Sequence, residues 1–404
     1  MHDESTIGAR LRVLRRWRGM SLDEVAGLSG LSKSFLSMAE RGQRALDRRS
    51  HIAALATALR VSEVDLIGGP HLGGDREQSE PHIYVSPLRV ALETNGFLGD
   101  PVVERARPLD ELAALMSGPI EQCRRRYDYI GVGKNLPDVI DELHWHAARP
   151  DEGVQKRALT VLVEAYMCAA GMARALRQPD LGHVAAVLAA EAAVRLDDPI
   201  AVGKAAFSLV RPGTSNWHRV KRMAEAAVDR LEPHVRDDKD IPVLGMLTLN
   251  AALAAAVSRD TASADHWLAR ATRLAARVPD DLERNWQAFG ATNVAIWTVT
   301  VGVECGRTGG AIAALAQDVR EDKLDTHPGR KTCFLGDVGR GLARDPKWRD
   351  EALGWLRRSE AVAPQRFRND AKVRESVAVM LEQARVAAQG RELRGMAARM
   401  GMPH

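Results

Sequence analysis

The sequence predicts an all-α protein: a five-helix module over residues 1–67, a linker over 68–87 and an α-solenoid of stacked helix pairs over 88–404. Three observations predict it. Alanine is abundant while aromatic residues make up only 4% of the chain, a balance that favours helices over sheets. Apolar residues recur at helical spacing, and no convincing strand pattern follows the linker. Short turns built on Pro, Gly or Asp punctuate the second part so often that consecutive helices should lie antiparallel.

The first helix is expected over 5–18, with Ile7, Leu11 and Leu14 on one face, Ser5 as N-cap and Gly19 as stop. Ser21 and Glu24 have capping-box spacing and open a second helix whose Leu22, Val25 and Ala26 point inward. Gly30 breaks the chain, and Ser32 caps a third helix that ends near Gly42. A fourth covers 48–59, and a fifth opens at Ser62 with Val64, Leu66 and Ile67 as its apolar set. The stretch GGPHLGGDREQSEPHIYVSP then reads as linker.

Beyond it, proline-containing turns are expected at 149–151, 178–180, 198–199, 211–213, 279–281 and 345–346. Segment 348–364 (WRDEALGWLRRSEAVAP) places Ala352, Leu356, Ser359 and Pro364 at the small, bulky, small and helix-ending positions of a tetratricopeptide repeat's second helix. Ala264, Leu268 and Ala271 repeat the first three, after a helix containing Ala251, Ala252 and Ala255, and 185–199 is a looser echo. The region is therefore read as tetratricopeptide-like, with an irregular α-bundle as the alternative.

Charge is unevenly placed. Eleven basic and four acidic residues lie between Ser5 and Arg60, a net +7 in a chain whose total is +4, so the remainder carries −3. A basic module suits a polyanion, and the mildly acidic body suits something else. Cys123, Cys168, Cys305 and Cys333 lie far apart without a CxxC pair and read as reduced thiols. No apolar signal core is present, and the longest apolar stretch, 243–257, is short of the roughly 18 residues a membrane span needs. A cytoplasmic protein without membrane contact is expected. His144 and His146, two residues apart, cannot share a helical face as metal ligands, and Gly131-Val132-Gly133-Lys134 lacks the length of a phosphate-binding loop. With no catalytic motif, the expectation is a non-enzyme without metal or cofactor.

Residues 21–42 read SLDEVAGLSGLSKSFLSMAERG: two short helices meet across a turn at Gly30, with Ala26 at the close contact and Leu31 and Leu36 beneath. With LRVSEVDLI at 59–67, this closely resembles the Xre family of regulators, the helix-turn-helix group that includes phage repressors and Cro proteins. The resemblance covers roughly 5–67 and implies a lambda-repressor-like domain that binds double-stranded DNA sequence-specifically and regulates transcription. On the third helix Lys33, Ser34, Ser37, Met38 and Arg41 fall opposite the face that carries Leu36 and Ala39, an arrangement suited to a major groove. By resemblance, Lys33, Ser34 and Met38 match base-edge positions, with Ser37 between them. Lysine donates to guanine, serine pairs with several bases, and methionine packs on a thymine methyl. Ser21 offers a hydroxyl and helix-start N–H groups to phosphate, and Arg41, Gln43, Arg44, Arg48 and Arg49 form a cationic rim. The resemblance also implies an Arg15–Glu40 ion pair. It departs at Leu22, where many family members carry a glutamine that contacts the DNA backbone.

One such domain covers half a site, and family members usually bind two half-sites as dimers, so a homodimer assembled through the repeats is expected. Asn250, Asn285, Asn293 and Trp297 are candidates for a ligand groove, because each asparagine offers both a donor and an acceptor. The architecture resembles bacterial peptide-pheromone receptors, which implies a signal peptide or small ligand. The alternative is a DNA-tethered protein–protein interaction scaffold without small-ligand sensing.

Overall fold

The computed structural model describes residues 6–68, 80–96, 99–210, 216–384 and 390–402, and no strand occurs among them. The first unit comprises α1 (Ile7–Trp17), α2 (Leu22–Ser29), α3 (Lys33–Glu40), α4 (Arg49–Leu59) and α5 (Glu63–Ile67). Its helices start where local chemistry satisfies their first N–H groups. Thr6 caps α1, accepting from the Ala9 amide at 2.9 Å; Ser5, expected in that role, lies outside the described residues. Ser21 and Glu24 close a capping box on α2, and Ser62 with Asp65 closes another on α5. Gly30 ends α2 at φ +64°, a left-handed conformation that glycine adopts without Cβ strain. Ile7, Leu11, Val25, Leu36, Leu46, Ile52, Leu55 and Leu66 form one buried cluster, with Leu14, Leu22, Ala26 and Leu31 packed at its margin.

The linker expected over 68–87 is overestimated at its far end. A 3₁₀ turn, Glu80–Tyr84, leads directly into the helix Val85–Thr94, and Pro87 falls in its first turn, where a missing N–H breaks no helical bond. Residues 69–79 lie outside the described set, as does the turn expected at 211–213.

In the body, helices pack chiefly on their sequence neighbours. Tyr129–Ala147 packs on Glu152–Ala175, and the latter on Pro179–Leu196; Ile241–Val257 lies between Trp217–Leu231 and Thr261–Ala275; Pro328–Ala343 packs on Arg349–Val362. The Asp and Pro turns set these starts. Asp151 accepts from the Val154 amide and Asp198 from the Ile200 amide, while Pro179, Pro199 and Pro328 open their helices. Ala352, Leu356 and Ser359 are buried against Pro328–Ala343, where a Cβ on Gly339 would meet Leu356 at 2.7 Å. That contact needs glycine.

Among the described residues one helix, Glu152–Ala175, has the length and hydropathy to cross a membrane, although its apolar residues form no uninterrupted run. Two-thirds of its most apolar window is buried against neighbouring helices, as in the core helix of a globular body. Among the described residues the body holds two apolar clusters, and the helix Ala291–Glu304 divides them. Val294, Trp297 and Val301 face one, while Ile296, Val299 and Val303 face the other. Glu304, the last residue of that helix, is fully buried at the junction with the first unit.

Candidate nucleic-acid interface

α3 offers one open face. Leu36 and Ala39 are buried, Lys33, Ser34 and Arg41 are exposed, and Ser37 and Met38 are partly so. Lys33 pairs with Asp23 at 2.7 Å, but both side chains are largely exposed, so water screens the pair and DNA can exchange with it. Arg41 donates to the Ser37 hydroxyl at 2.6 Å and to Gln43 Oε1 at 3.1 and 3.2 Å, which joins three of the expected contact residues into one surface cluster.

Behind this face, Arg15 forms a two-point bond with Glu40, at 2.6 and 2.9 Å, and donates to the Met20 carbonyl at 2.8 Å. The Glu40 hydrogen bond raises the Arg15 pKa, outweighing the loss of hydration. The pair ties α1 to the end of α3 and fixes the angle at which α3 is presented. Ser21 is exposed, but its own N–H donates to Glu24 at 2.6 Å and its hydroxyl oxygen accepts from the Glu24 amide. The hydroxyl proton therefore remains for a phosphate, whereas the Ser21 N–H does not. Leu22 packs at the margin of the core, as an apolar residue at that position must.

The cationic rim divides, and part of the expected phosphate grip is corrected. Arg41, Gln43 and Arg44 are exposed, although Arg44 leans on the Arg344 carbonyl at 3.4 Å. Arg48 and Arg49 are turned inward. Arg48 donates twice to the Glu304 carbonyl, at 2.7 and 3.0 Å, and Arg49 meets the Glu304 carboxylate through its backbone N–H at 2.8 Å and its guanidinium at 2.5 Å. A buried carboxylate requires cations, and Arg49 supplies one while Arg48 is spent on the backbone carbonyl of the same residue, both in place of a phosphate contact.

They belong to a larger fastening. The buried Arg340 donates to Glu304, Asp337 and the Asp47 carbonyl at 2.7–3.0 Å, and Arg344 pairs with the Asp47 carboxylate. Burial pushes the Glu304 carboxyl up, but Arg49 and Arg340 more than offset it and hold it down at about 2. Glu375 accepts from the amides of Ile7 at 2.7 Å and Leu46 at 3.0 Å, and Gln383 donates to the Gln43 carbonyl. The signal for this interface was one acid closing an otherwise apolar helix, ATNVAIWTVTVGVE. Its partners in the first unit lie some 255 positions away, beyond any local pattern.

The candidate ligand groove is also corrected. Asn250 and Asn293 are buried; Asn250 donates to the Phe207 carbonyl of a neighbouring helix and Asn293 to the Gln287 carbonyl in the turn before its own helix, so both are spent within the core and neither borders the pocket described next. Asn285 and Trp297 do border a pocket of about 540 Å³, but Asn285 braces a turn by donating to the Pro279 and Phe289 carbonyls at 2.7 Å. The remaining pocket wall includes arginine, tyrosine and methionine side chains from widely separated helices, together with Arg49, Glu63 and Ile67 of the first unit. His144 and His146 are buried and engaged separately, with the Tyr166 hydroxyl and the Arg107 carbonyl.

Residues 6–66 match the family described as the helix-turn-helix domain. No curated protein and no solved structure matches the chain. The helices α1–α5 are thus a helix-turn-helix domain, the DNA-binding module of a transcription regulator, followed by an all-helical body.

Proposed function

We propose that the chain is a sequence-specific transcription regulator of the Xre type, acting as a homodimer, whose tetratricopeptide-like body receives a signal peptide or small ligand. The open face of α3, inside a matched helix-turn-helix domain, is the observation that carries this reading. Lys33, Ser34 and Met38 read base edges with Ser37 between them, and Ser21, Arg41, Gln43 and Arg44 grip phosphates. Dimerisation supplies the second half-site, and the exposed Val184, Val187 and Val194 on the helix Pro179–Leu196 offer apolar surface for it. The activity is binding; the body tunes it.

Selection of duplexes from a random pool, followed by titration of variants, tests the reading. Lys33→Ala and Met38→Ala should each lose about 1–3 kcal/mol of discrimination between selected and scrambled DNA. Equal loss on every sequence would remove their base-reading role. Sedimentation of the protein alone and on selected DNA checks the dimer, and a single copy under both conditions would exclude it.

A further inference from the structure

The pocket of about 540 Å³ is of the size that encloses small organic ligands. Its charge is unbalanced. Eight basic side chains and four carboxylates border it, and three of the four carboxylates are engaged: Glu121 with Arg124 and Arg125, Asp370 with Arg366 and Lys372, and Asp337 with Arg340. Burial pushes the fourth, Glu63, up to about 7. Arg330 stands apart from these pairs. Its guanidinium donates only to Gln287, to the carbonyl at 2.7 Å and the side-chain oxygen at 3.5 Å, and faces no carboxylate among the described residues. Burial draws its pKa below the ordinary arginine value, so an anion gained there would relieve a desolvation cost.

Beside Arg330 lies a phenolic wall. Cys333, one turn along the same helix, lies 3.7 Å from the Tyr127 hydroxyl, and the Tyr127 and Tyr129 rings are 6.0 Å apart. Tyr129 is 97% buried (3% exposed), lines the pocket, and its hydroxyl has no hydrogen-bond partner. A buried donor without a partner is uncommon and calls for a ligand or water. Met172, Leu253 and Trp297 supply an apolar wall.

We infer that this pocket binds a small organic anion, its carboxylate or phosphate held by Arg330 and the Tyr129 hydroxyl and its apolar body against Met172, Leu253 and Trp297. This rests on the sensing part of the reading above and narrows it from peptide or small ligand to an anionic small molecule. Because Arg49, Glu63 and Ile67 share the wall, the occupant lies in a cavity that the DNA-binding unit helps to form.

The test uses the full chain and two matched probe pairs in calorimetric titrations: indole-3-acetate beside indole-3-acetamide, and benzyl phosphate beside benzyl alcohol. The pairs distinguish a carboxylate from a phosphate ligand. At least one anion should bind about tenfold or more tightly than its neutral counterpart. Arg330→Gln should abolish that preference and Arg330→Lys retain most of it. Tyr129→Phe, which removes one unpartnered hydroxyl, should weaken the anion several-fold while leaving the fold intact. Neutral and anionic probes binding alike, no saturable binding up to about 1 mM, or binding indifferent to both Arg330→Gln and Tyr129→Phe would each overturn the assignment. DNA affinity of the same samples is read separately. Anion binding without any effect on DNA affinity would uphold the pocket and refute its sensing role, whereas failed anion binding with DNA affinity intact would refute the pocket alone.

Discussion

Glu304→Gln is the most informative perturbation of the interface between the two units. The Glu304 carboxylate is fully buried and accepts from the Arg49 amide, the Arg49 guanidinium and Arg340. The amide replacement keeps the shape but removes the charge, leaving two arginines short of a counter-ion. Arg340 keeps Asp337, but Arg49 has Glu304 as its only carboxylate within bonding distance among the described residues. Breaking a buried pair from one side costs about 3–5 kcal/mol. The helix-turn-helix domain has its own apolar cluster, so the loss should appear as undocking ahead of unfolding. Native-state hydrogen exchange separates the two. A loss of about 3 kcal/mol corresponds to roughly a hundredfold faster exchange at the amides that face the body, those of Arg49 and Leu46, with Leu36 and Leu55 unchanged. Adding Arg49→Met to Glu304→Gln should recover part of the loss, because it removes the stranded cation. Exchange at Arg49 within a few-fold of wild type would refute the fastening, and equal acceleration at Leu55 would refute separable docking.

Other outcomes follow from the same contacts. Arg44→Ala should lower the slope of log affinity against log salt by about 1 on every DNA sequence, while Arg48→Ala should leave the slope unchanged and lower thermal stability; the reverse pattern would restore Arg48 to the phosphate set. Burial raises Glu375 to about 7 in spite of two N–H bonds, so the folded state holds its proton more tightly than the unfolded chain. Its stabilising contribution is complete below about 4.5 and lost as pH rises to about 7, up to about 3 kcal/mol. Burial lowers His51 to about 3, which acts in the opposite direction as pH rises from about 3 to 6.5, so the comparison must be wild type against Glu375→Gln; parallel stability–pH profiles for the two would contradict the Glu375 assignment. Gly30→Ala should destabilise the helix-turn-helix unit by about 1–2 kcal/mol in a denaturant melt, since alanine there must hold φ +64°; no change would mean that the turn relaxes at no cost.

The helix-turn-helix unit was legible because its determinants are local. Ser21 and Glu24 three apart, Ser32 before a helix, Gly30 at a turn and an apolar residue every third or fourth position all act within one or two turns of chain. Even there, the cap moved from Ser5 to Thr6. The open face of α3 follows from the same periodicity. The fate of Arg48 and Arg49 was not legible, because a basic cluster after α3 looks alike whether its partner is phosphate or a distant buried carboxylate. Asn250 and Asn293 failed for a related reason. An asparagine on an apolar helix can face a groove or spend its amide on a buried backbone carbonyl, and only the surrounding packing decides. The pocket is less legible still, since Tyr129, Arg330 and Ile67 come from three distant stretches.

Fixing the start of α4 to Glu304 has a geometric consequence for operator choice. A reading head on a loose tether samples many separations, and such a pair tolerates half-sites at variable distance. Here the head is seated on the body by buried charges, so two bodies in a dimer would act as callipers with a set opening. The preferred half-site spacing would then depend on how the bodies pair, and lengthening the connection between Gly68 and Glu80 would leave it unchanged.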